Sequence, residues 1–294
     1  MAQSTIRPST GHQPNRFSGV QVGTHPDDLK LQVHDFWNQG SCGEVYAQGE
    51  HDTEKYETHC RTRYELEPYI PEFAKFQTGA LRDVLEIGVG MGADHAQWAK
   101  SGPRTLVGID LTPRAVDHTQ QRLRQFGLKS DLRVGDAENL EFDEESFDIV
   151  YSWGVLHHSP QTPKAINEVW RVLRPGGTAR IMIYHRYSIV GYLLWLRYGL
   201  MAGQPFRSLE DIYHHHLESP GTKTYSLRQA EEMFARFATV NVCSQLSFGD
   251  LLQGEVGQKH SGILLSMAKR LWPRGLIRLL FRNHGLYLMI EAQK

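Results

Sequence analysis

Val84-Leu85-Glu86-Ile87-Gly88-Val89-Gly90-Met91-Gly92-Ala93 decides the fold. An apolar run carrying one carboxylate leads into glycines at every second position. A short continuous apolar run marks a strand buried on both faces, and glycine accepts the dihedrals and close backbone approach that a ligand-hugging turn requires. Asp94-His95-Ala96-Gln97-Trp98-Ala99-Lys100 follows as a helix whose N-terminus points at whatever the loop holds. Alone, such a turn also suits dehydrogenases and other nucleotide binders.

The residues that follow narrow the choice. Thr105-Leu106-Val107-Gly108-Ile109-Asp110 and Leu132-Arg133-Val134-Gly135-Asp136 read as second and third strands, each ending in an acid. Phe147 to Trp153 reads as a fourth, opening into Gly154-Val155-Leu156-His157-His158. Arg174-Pro175-Gly176-Gly177 suits a tight helix-to-strand return before a fifth strand, Thr178 to Tyr184. Strands alternating with helices demand parallel pairing and right-handed crossovers. This ordered set resembles the class I S-adenosylmethionine (SAM)-dependent methyltransferases, nearest to the small-molecule branch (methyltransferase type 11) that includes quinone-biosynthesis enzymes. The resemblance covers about Leu81 to Tyr184, with Tyr287-Leu288-Met289-Ile290-Glu291 as a final strand. It implies an α/β fold: a Rossmann-like, mostly parallel sheet flanked by helices, with a reversed edge strand near the C-terminus, a helical N-terminal lid, and insertions after the fifth and sixth strands.

The resemblance also implies SAM as cofactor and a residue set for it. In open α/β sheets ligands sit outside the carboxyl ends of the strands. Gly88, Gly90 and Gly92 would let the backbone approach the amino-acid part of SAM, with Glu86 supporting that end. Asp110, followed by Leu111, is placed to accept the ribose hydroxyls, and Asp136 with Ala137 to meet the adenine. An acid at a strand end can also simply cap the next helix. Trp153, His157, His158, Tyr184, His185 and Tyr187 converge by topology where an acceptor would sit. His157, His158 and His185 are candidate general bases, since a neutral imidazole can take a proton; proximity around the sulfonium is the alternative. His185 is slightly favoured because it follows the fifth strand directly. No metal is expected: the His214-His215-His216 triplet lacks the i, i+4 spacing that puts two imidazoles on one helical face.

Composition bounds the rest. With 294 residues and 40% hydrophobic content the chain can bury a full core. A formal charge of −1 argues against a nucleic-acid footprint. The three cysteines form no CxxC, which suits a reducing, cytoplasmic location. Residues 1–28 read as a disordered tail, 29–79 as a helical lid segment broken near Pro68 and Pro71, and 80–294 as the catalytic domain with cap insertions at about 186–225 and 247–285. The segment from Ser188 to Gly203 is too continuously apolar for an ordinary surface helix. With Phe36, Trp37 and Tyr46 it is expected to close a pocket for a hydrophobic acceptor. Arg270, Arg274, Arg278 and Arg282 recur every four residues among leucines, a pattern that suits either a solvated face or weak contact with anionic lipid. The Asn/Asp-Pro-Pro-aromatic tetrapeptide of DNA and peptide N-methyltransferases is replaced by Ser152-Trp153-Gly154-Val155. The expectation is a methyltransferase for a small, hydrophobic molecule, with the methylated atom and oligomeric state open. The alternatives are a non-catalytic SAM-binding partner or a macromolecule methyltransferase.

Overall fold

The computed structural model describes residues 25–253 and 271–294. The expected tail therefore lies outside the described residues up to residue 24, as does Arg270 of the basic stripe. Helix α1 (Pro26–Gln39) begins inside the stretch read as tail.

Five strands, β1 (Asp83–Ile87), β2 (Thr105–Asp110), β3 (Asp131–Val134), β4 (Phe147–Trp153) and β5 (Leu173–Tyr184), lie parallel, and β6 (Thr239–Gln245) and β7 (Tyr287–Gln293) complete a seven-stranded sheet in the order β3-β2-β1-β4-β5-β7-β6. The reversed strand is β7: it runs antiparallel to both β5 and β6 and lies one place in from the edge that β6 forms. All five residues of β1 are buried, as its central position requires. The connections diverge between β1 and β4, and a crevice opens there at the carboxyl ends of the strands.

Strand alternation divides the core in two. Ile181 and Ile183 join Leu85, Val150 and Ile290 on one face, while Met182 and Tyr184 join Val84, Tyr151 and Met289 on the other. The Arg174-to-Gly177 stretch is absorbed into β5 as a bulge: Phe147 pairs with Leu173 and Ile149 with Thr178. Gly176 sits there at φ 77°, and its N–H donates to the Lys294 carbonyl at 2.7 Å.

Helices α2 (Asp52–Leu66) and α3 (Ile70–Ala74) break where the prolines predicted. Then come α4 (Ala93–Lys100), α5 (Pro113–Gln125) and α6 (Thr162–Val172). Thr112 caps α5 through a bond from the Ala115 N–H, with Pro113 preset for the first turn. The insertion after β5 folds as α7 (Ile189–Trp195), a π-helical turn (Leu196–Leu200) and α8 (Leu209–His216). Helix α9 (Leu227–Met233) opens with a capping box made by Ser226 and Gln229. Helix α10 (Arg274–Leu280) precedes β7.

Candidate functional site

A cavity of about 820 Å³ occupies the crevice and extends beneath α1, α2 and α7. Glu86, Gly88, Gly90, Gly92, Asp110, Leu111, Asp136, Ala137 and Trp153 all line it. The glycines divide their work. A Cβ on Gly88 would lie 2.1 Å from Val155 Cγ2, and one on Gly92 would lie 2.8 Å from Thr119 Oγ1, so both positions serve packing. Gly90 (φ 51°) has nothing within 4 Å of a Cβ, so a side chain there would project into open cavity.

The half-buried Asp110 accepts from the Thr112 N–H at 3.0 Å, the Thr112 hydroxyl at 2.9 Å and the Gly90 N–H at 3.1 Å. It thus ties the glycine loop to the start of α5, and burial raises its carboxyl above the usual range although these donors oppose the shift. Asp136 accepts from Lys30 Nζ at 2.7 Å and from the Glu138 N–H at 2.9 Å. Lys30 reaches Glu138 as well, at 2.8 Å, so α1 is pinned across this end of the cavity.

Glu86 belongs to a buried chain. The Ser130 hydroxyl donates to the Leu106 carbonyl at 2.9 Å, leaving its oxygen to accept from His95 Nε2 at 2.7 Å. The bare His95 Nδ1 then faces Glu86 Oε2 at 2.9 Å, and the proton between them belongs to Glu86. Burial pushes the His95 imidazole down to about 3. Burial, with the charge of Asp94, holds the Glu86 carboxyl well above its usual range.

Arg63 and Asp94, which the sequence reading missed, connect α2 to this site. Arg63 on α2 grips the buried Asp94 of α4 with two bonds, 3.0 and 2.7 Å, and Tyr64 and Tyr151 donate to the same carboxylate at 2.9 and 2.8 Å. Both residues line the cavity. In sequence, Arg63 looks like the partner of Glu67 one turn on, a pairing that exists at 3.4 Å but is the weaker one.

The far end of the cavity is apolar. Trp153 packs against Tyr69 and Tyr287, with ring centroids 6.0 and 5.7 Å apart, and Tyr184 stacks on Tyr287 at 5.9 Å. The facing wall comes from Phe36, Trp37 and Tyr46 and from Val190, Leu193 and Leu194 of α7, the two segments expected to close the pocket.

The three candidate histidines separate. His158 lines the cavity. His157 is fully buried behind it, its ring 4.2 Å from that of His158 and 3.9 Å from Tyr184, and burial forces its imidazole well below the usual range. His185 does not line the cavity: its Nδ1 donates to the Gly285 carbonyl at 3.0 Å, and its backbone bridges to Tyr225. Following Tyr184, it falls on the opposite face by strand alternation, which corrects the slight preference given to it. Tyr187 is 46% exposed and also stands outside the cavity lining. The His214-to-His216 triplet lies on α8, where His216 stacks on Tyr198 at 3.9 Å and His215 bonds back to Asp211. Among the described residues, His157, His158 and Glu218 bring potential ligand atoms within 4.8 Å of one another, a grouping with the donor set for a cation. Glu218 comes from beyond α8, so sequence spacing shows no sign of the grouping.

Residues 85–181 match the protein family described as a methyltransferase domain. A probable phthiotriol/phenolphthiotriol dimycocerosates methyltransferase 2 from Mycobacterium ulcerans (strain Agy99) is 41% identical over 95 residues, covering 32% of this chain and 36% of that protein. Phosphoethanolamine N-methyltransferase 2 from Caenorhabditis elegans is 33% identical over 119 residues, 39% of this chain and 26% of the other. The chain thus matches only about a third of the length of the curated relatives. An S-adenosylmethionine-dependent methyltransferase from Mesorhizobium loti superposes with a TM-score of 0.53 at 14% identity, covering 77% of this chain and 97% of that one. The (4+2)-cyclase SpnF superposes at 0.51 and 16%, covering 94% and 98%. Residues 85–181 are thus similar to the methyltransferase-domain family, and the chain adopts a Rossmann-like fold.

Proposed function

We propose that the protein is a SAM-dependent methyltransferase acting on a small hydrophobic acceptor. One observation carries this reading: a single cavity joins the glycine loop and its strand-end acids to an apolar, aromatic compartment. The charged end fits the donor. With Glu86 holding the proton it shares with His95, five further carboxyl groups line the cavity (Glu67, Asp94, Asp110, Asp136, Glu218) against three cationic side chains (Lys30, Arg63, Arg197), an imbalance that suits a ligand carrying a sulfonium and an ammonium. The open space at Gly90 leaves room for a ligand against the backbone. Glu86, Asp110 and Asp136 would hold the ligand from β1, β2 and the end of β3. When bound, SAM supplies an electrophilic methyl group; the chain's part is to orient it, exclude water and manage the acceptor's proton. A hydrophobic acceptor is supported by Trp37, Leu193 and Leu194 opposite Trp153. Relatives named for phthiotriol dimycocerosates fit the same reading.

Calorimetric titration should show binding of SAM and none of NADH, and turnover with labelled methyl donor over hydrophobic alcohols, amines and quinols should yield a methylated product. NADH binding without SAM binding would overturn the assignment; SAM binding without turnover would favour a SAM-dependent partner protein.

We further propose contact with an anionic membrane surface through α10. Leu276, Leu279, Leu280 and Phe281 are exposed there beside Arg278 and Arg282, whereas Arg274 is spent on the Leu251 and Leu252 carbonyls. No helix among the described residues is long and apolar enough to cross a membrane. Co-sedimentation with phosphatidylserine vesicles but not phosphatidylcholine vesicles, reduced in Arg278→Glu/Arg282→Glu, is the expected result. Equal recovery with both lipids removes the surface. The three free cysteines support a cytoplasmic location.

A further inference from the structure

We infer that His157, His158 and Glu218 hold a divalent transition-metal ion of the zinc type, with one coordination position open to the apolar compartment. The inference goes beyond methyl transfer and does not depend on it.

The donors come from two distant parts of the chain. His157 and His158 stand in the short turn after β4, and Glu218 arrives from the insertion, just beyond α8. One ligand atom from each lies within 4.8 Å of the other two. The sequence reading expected no metal because the His214-to-His216 triplet has the wrong spacing; this site is built without the triplet.

Three buried nitrogens point to a ligand. His157 is 0% exposed, and neither of its ring nitrogens has a hydrogen-bond partner. His158 is 5% exposed, and its Nε2 has none either. Burying such atoms unpaired is costly. The hydroxyls around His158 fix which of its nitrogens is bare. The Thr222 hydroxyl donates its one proton to the Ser219 carbonyl at 2.8 Å, so toward His158 Nδ1, 3.2 Å away, its oxygen can only accept. Ser219 Oγ lies 2.8 Å from the same nitrogen and can turn its own proton to Thr222 Oγ1 at 3.4 Å. Nδ1 therefore carries the hydrogen, and Nε2 keeps its lone pair. A histidine whose other N–H is held by an outer partner is oriented to ligate a metal. Glu218 Oε2 stands 3.5 Å from that Nε2 and is held in turn by the Tyr184 hydroxyl, which donates to it at 2.9 Å.

An ion pair between a charged His158 and Glu218 accounts for less, because it leaves His157 without a partner at either nitrogen. A cation among the three satisfies a nitrogen of each histidine and the carboxylate together. Donors roughly 2.0–2.1 Å from a tetrahedral zinc ion stand about 3.3 Å from one another. His158 and Glu218 are close to that spacing already, and the third donor has at most about 1.5 Å to close. Two imidazoles and one carboxylate favour zinc, cobalt or iron over magnesium and calcium, which take oxygen donors. Three protein ligands leave a fourth position. His158 and Glu218 line the cavity and His157 lies behind them, so that position faces the cavity and takes an oxygen donor from it.

The test uses the full chain stripped with EDTA, titrated with Zn²⁺ by calorimetry and with Co²⁺ by visible absorption. We expect one equivalent of Zn²⁺ to bind, Co²⁺ to give the intense bands of a tetrahedral site, and excess Mg²⁺ to displace neither. His158→Gln should weaken Zn²⁺ binding by roughly a hundredfold, and Glu218→Gln and Ser219→Ala/Thr222→Val by roughly tenfold each. Glu218→Gln keeps the shape of a partly exposed side chain, so it decides the matter even where His158→Gln fails to fold. His214→Gln/His215→Gln should bind Zn²⁺ as the wild type does. Octanohydroxamate, a hydrophobic oxygen-donor probe, should shift the Co²⁺ bands. No Zn²⁺ uptake by the wild type, unchanged affinity in Glu218→Gln, loss of binding in the triplet variant alone, or displacement by Mg²⁺ would each overturn the inference. Co²⁺ bands untouched by octanohydroxamate would overturn the open position. Wild-type protein that binds SAM but no Zn²⁺ sinks this inference alone, and protein that binds Zn²⁺ but no SAM sinks only the methyl-transfer reading.

Discussion

Asp110→Ala should weaken SAM binding at least tenfold when read by isothermal titration. Its carboxylate ends β2 at the cavity wall, where a ligand's hydroxyl groups would otherwise meet the apolar ends of the strands. Losing a charged acceptor costs about 1.5–3 kcal/mol, which corresponds to roughly ten- to hundredfold in affinity. The same substitution frees the Gly90 and Thr112 N–H groups, so the glycine loop loses its tie to α5 and the pre-shaped cradle loosens. Both effects act in one direction. Unchanged affinity in a folded variant would remove Asp110 from the site.

Arg63→Met should produce the largest loss of stability. Asp94 is 4% exposed and takes two of its bonds from the Arg63 guanidinium. Removing one partner of a buried pair leaves an uncompensated charge and costs about 3–5 kcal/mol. At about 2–4 °C per kcal/mol for a chain of this size class, the thermal midpoint should fall by roughly 6–20 °C. Burial alone would raise the Asp94 carboxyl, but the Arg63 charge and the bonds from Arg63, Tyr151 and Tyr64 bring it below its ordinary range. A depressed folded-state value stabilises the protein above the ordinary carboxyl range, and that stability is lost as pH falls through the depressed value. Wild type should therefore lose more stability than Arg63→Met between pH 7 and pH 3. Identical melting curves for the two proteins at pH 7 would show that α2 is not held by this pair.

The sheet was legible because its central strands are short apolar runs and β1 to β4 end in or lead into an acid or a glycine. Those signals are local, and Glu86, Asp110 and Asp136 line the cavity. Arg63, Asp94 and Glu218 were not legible because their meaning depends on partners distant in sequence. Arg63 reads as half of an ordinary i, i+4 pair, Asp94 as a first-turn helix acid, and Glu218 as one more polar residue after three histidines. The preference for His185 is different, since the signal against it was present. Met182 and Tyr184 alternate toward the cavity side of the sheet, so the next odd position turns away.

The placement of β7 has a consequence for the order in which the molecule can be assembled. Among the described strands, β6 pairs with β7 alone, and β7 follows it in the chain by some forty residues. While the polypeptide is being synthesised, β1 to β5 can associate as each emerges, whereas β6 has no neighbour to join until residues 287–293 have been made. One flank of β5 stays an open edge during the same interval, and an open edge is a template for association with other chains. The half of the sheet nearest the Rossmann crevice is thus free to form early, and the β5-β7-β6 half is a late, long-range closure whose loop must be drawn in first.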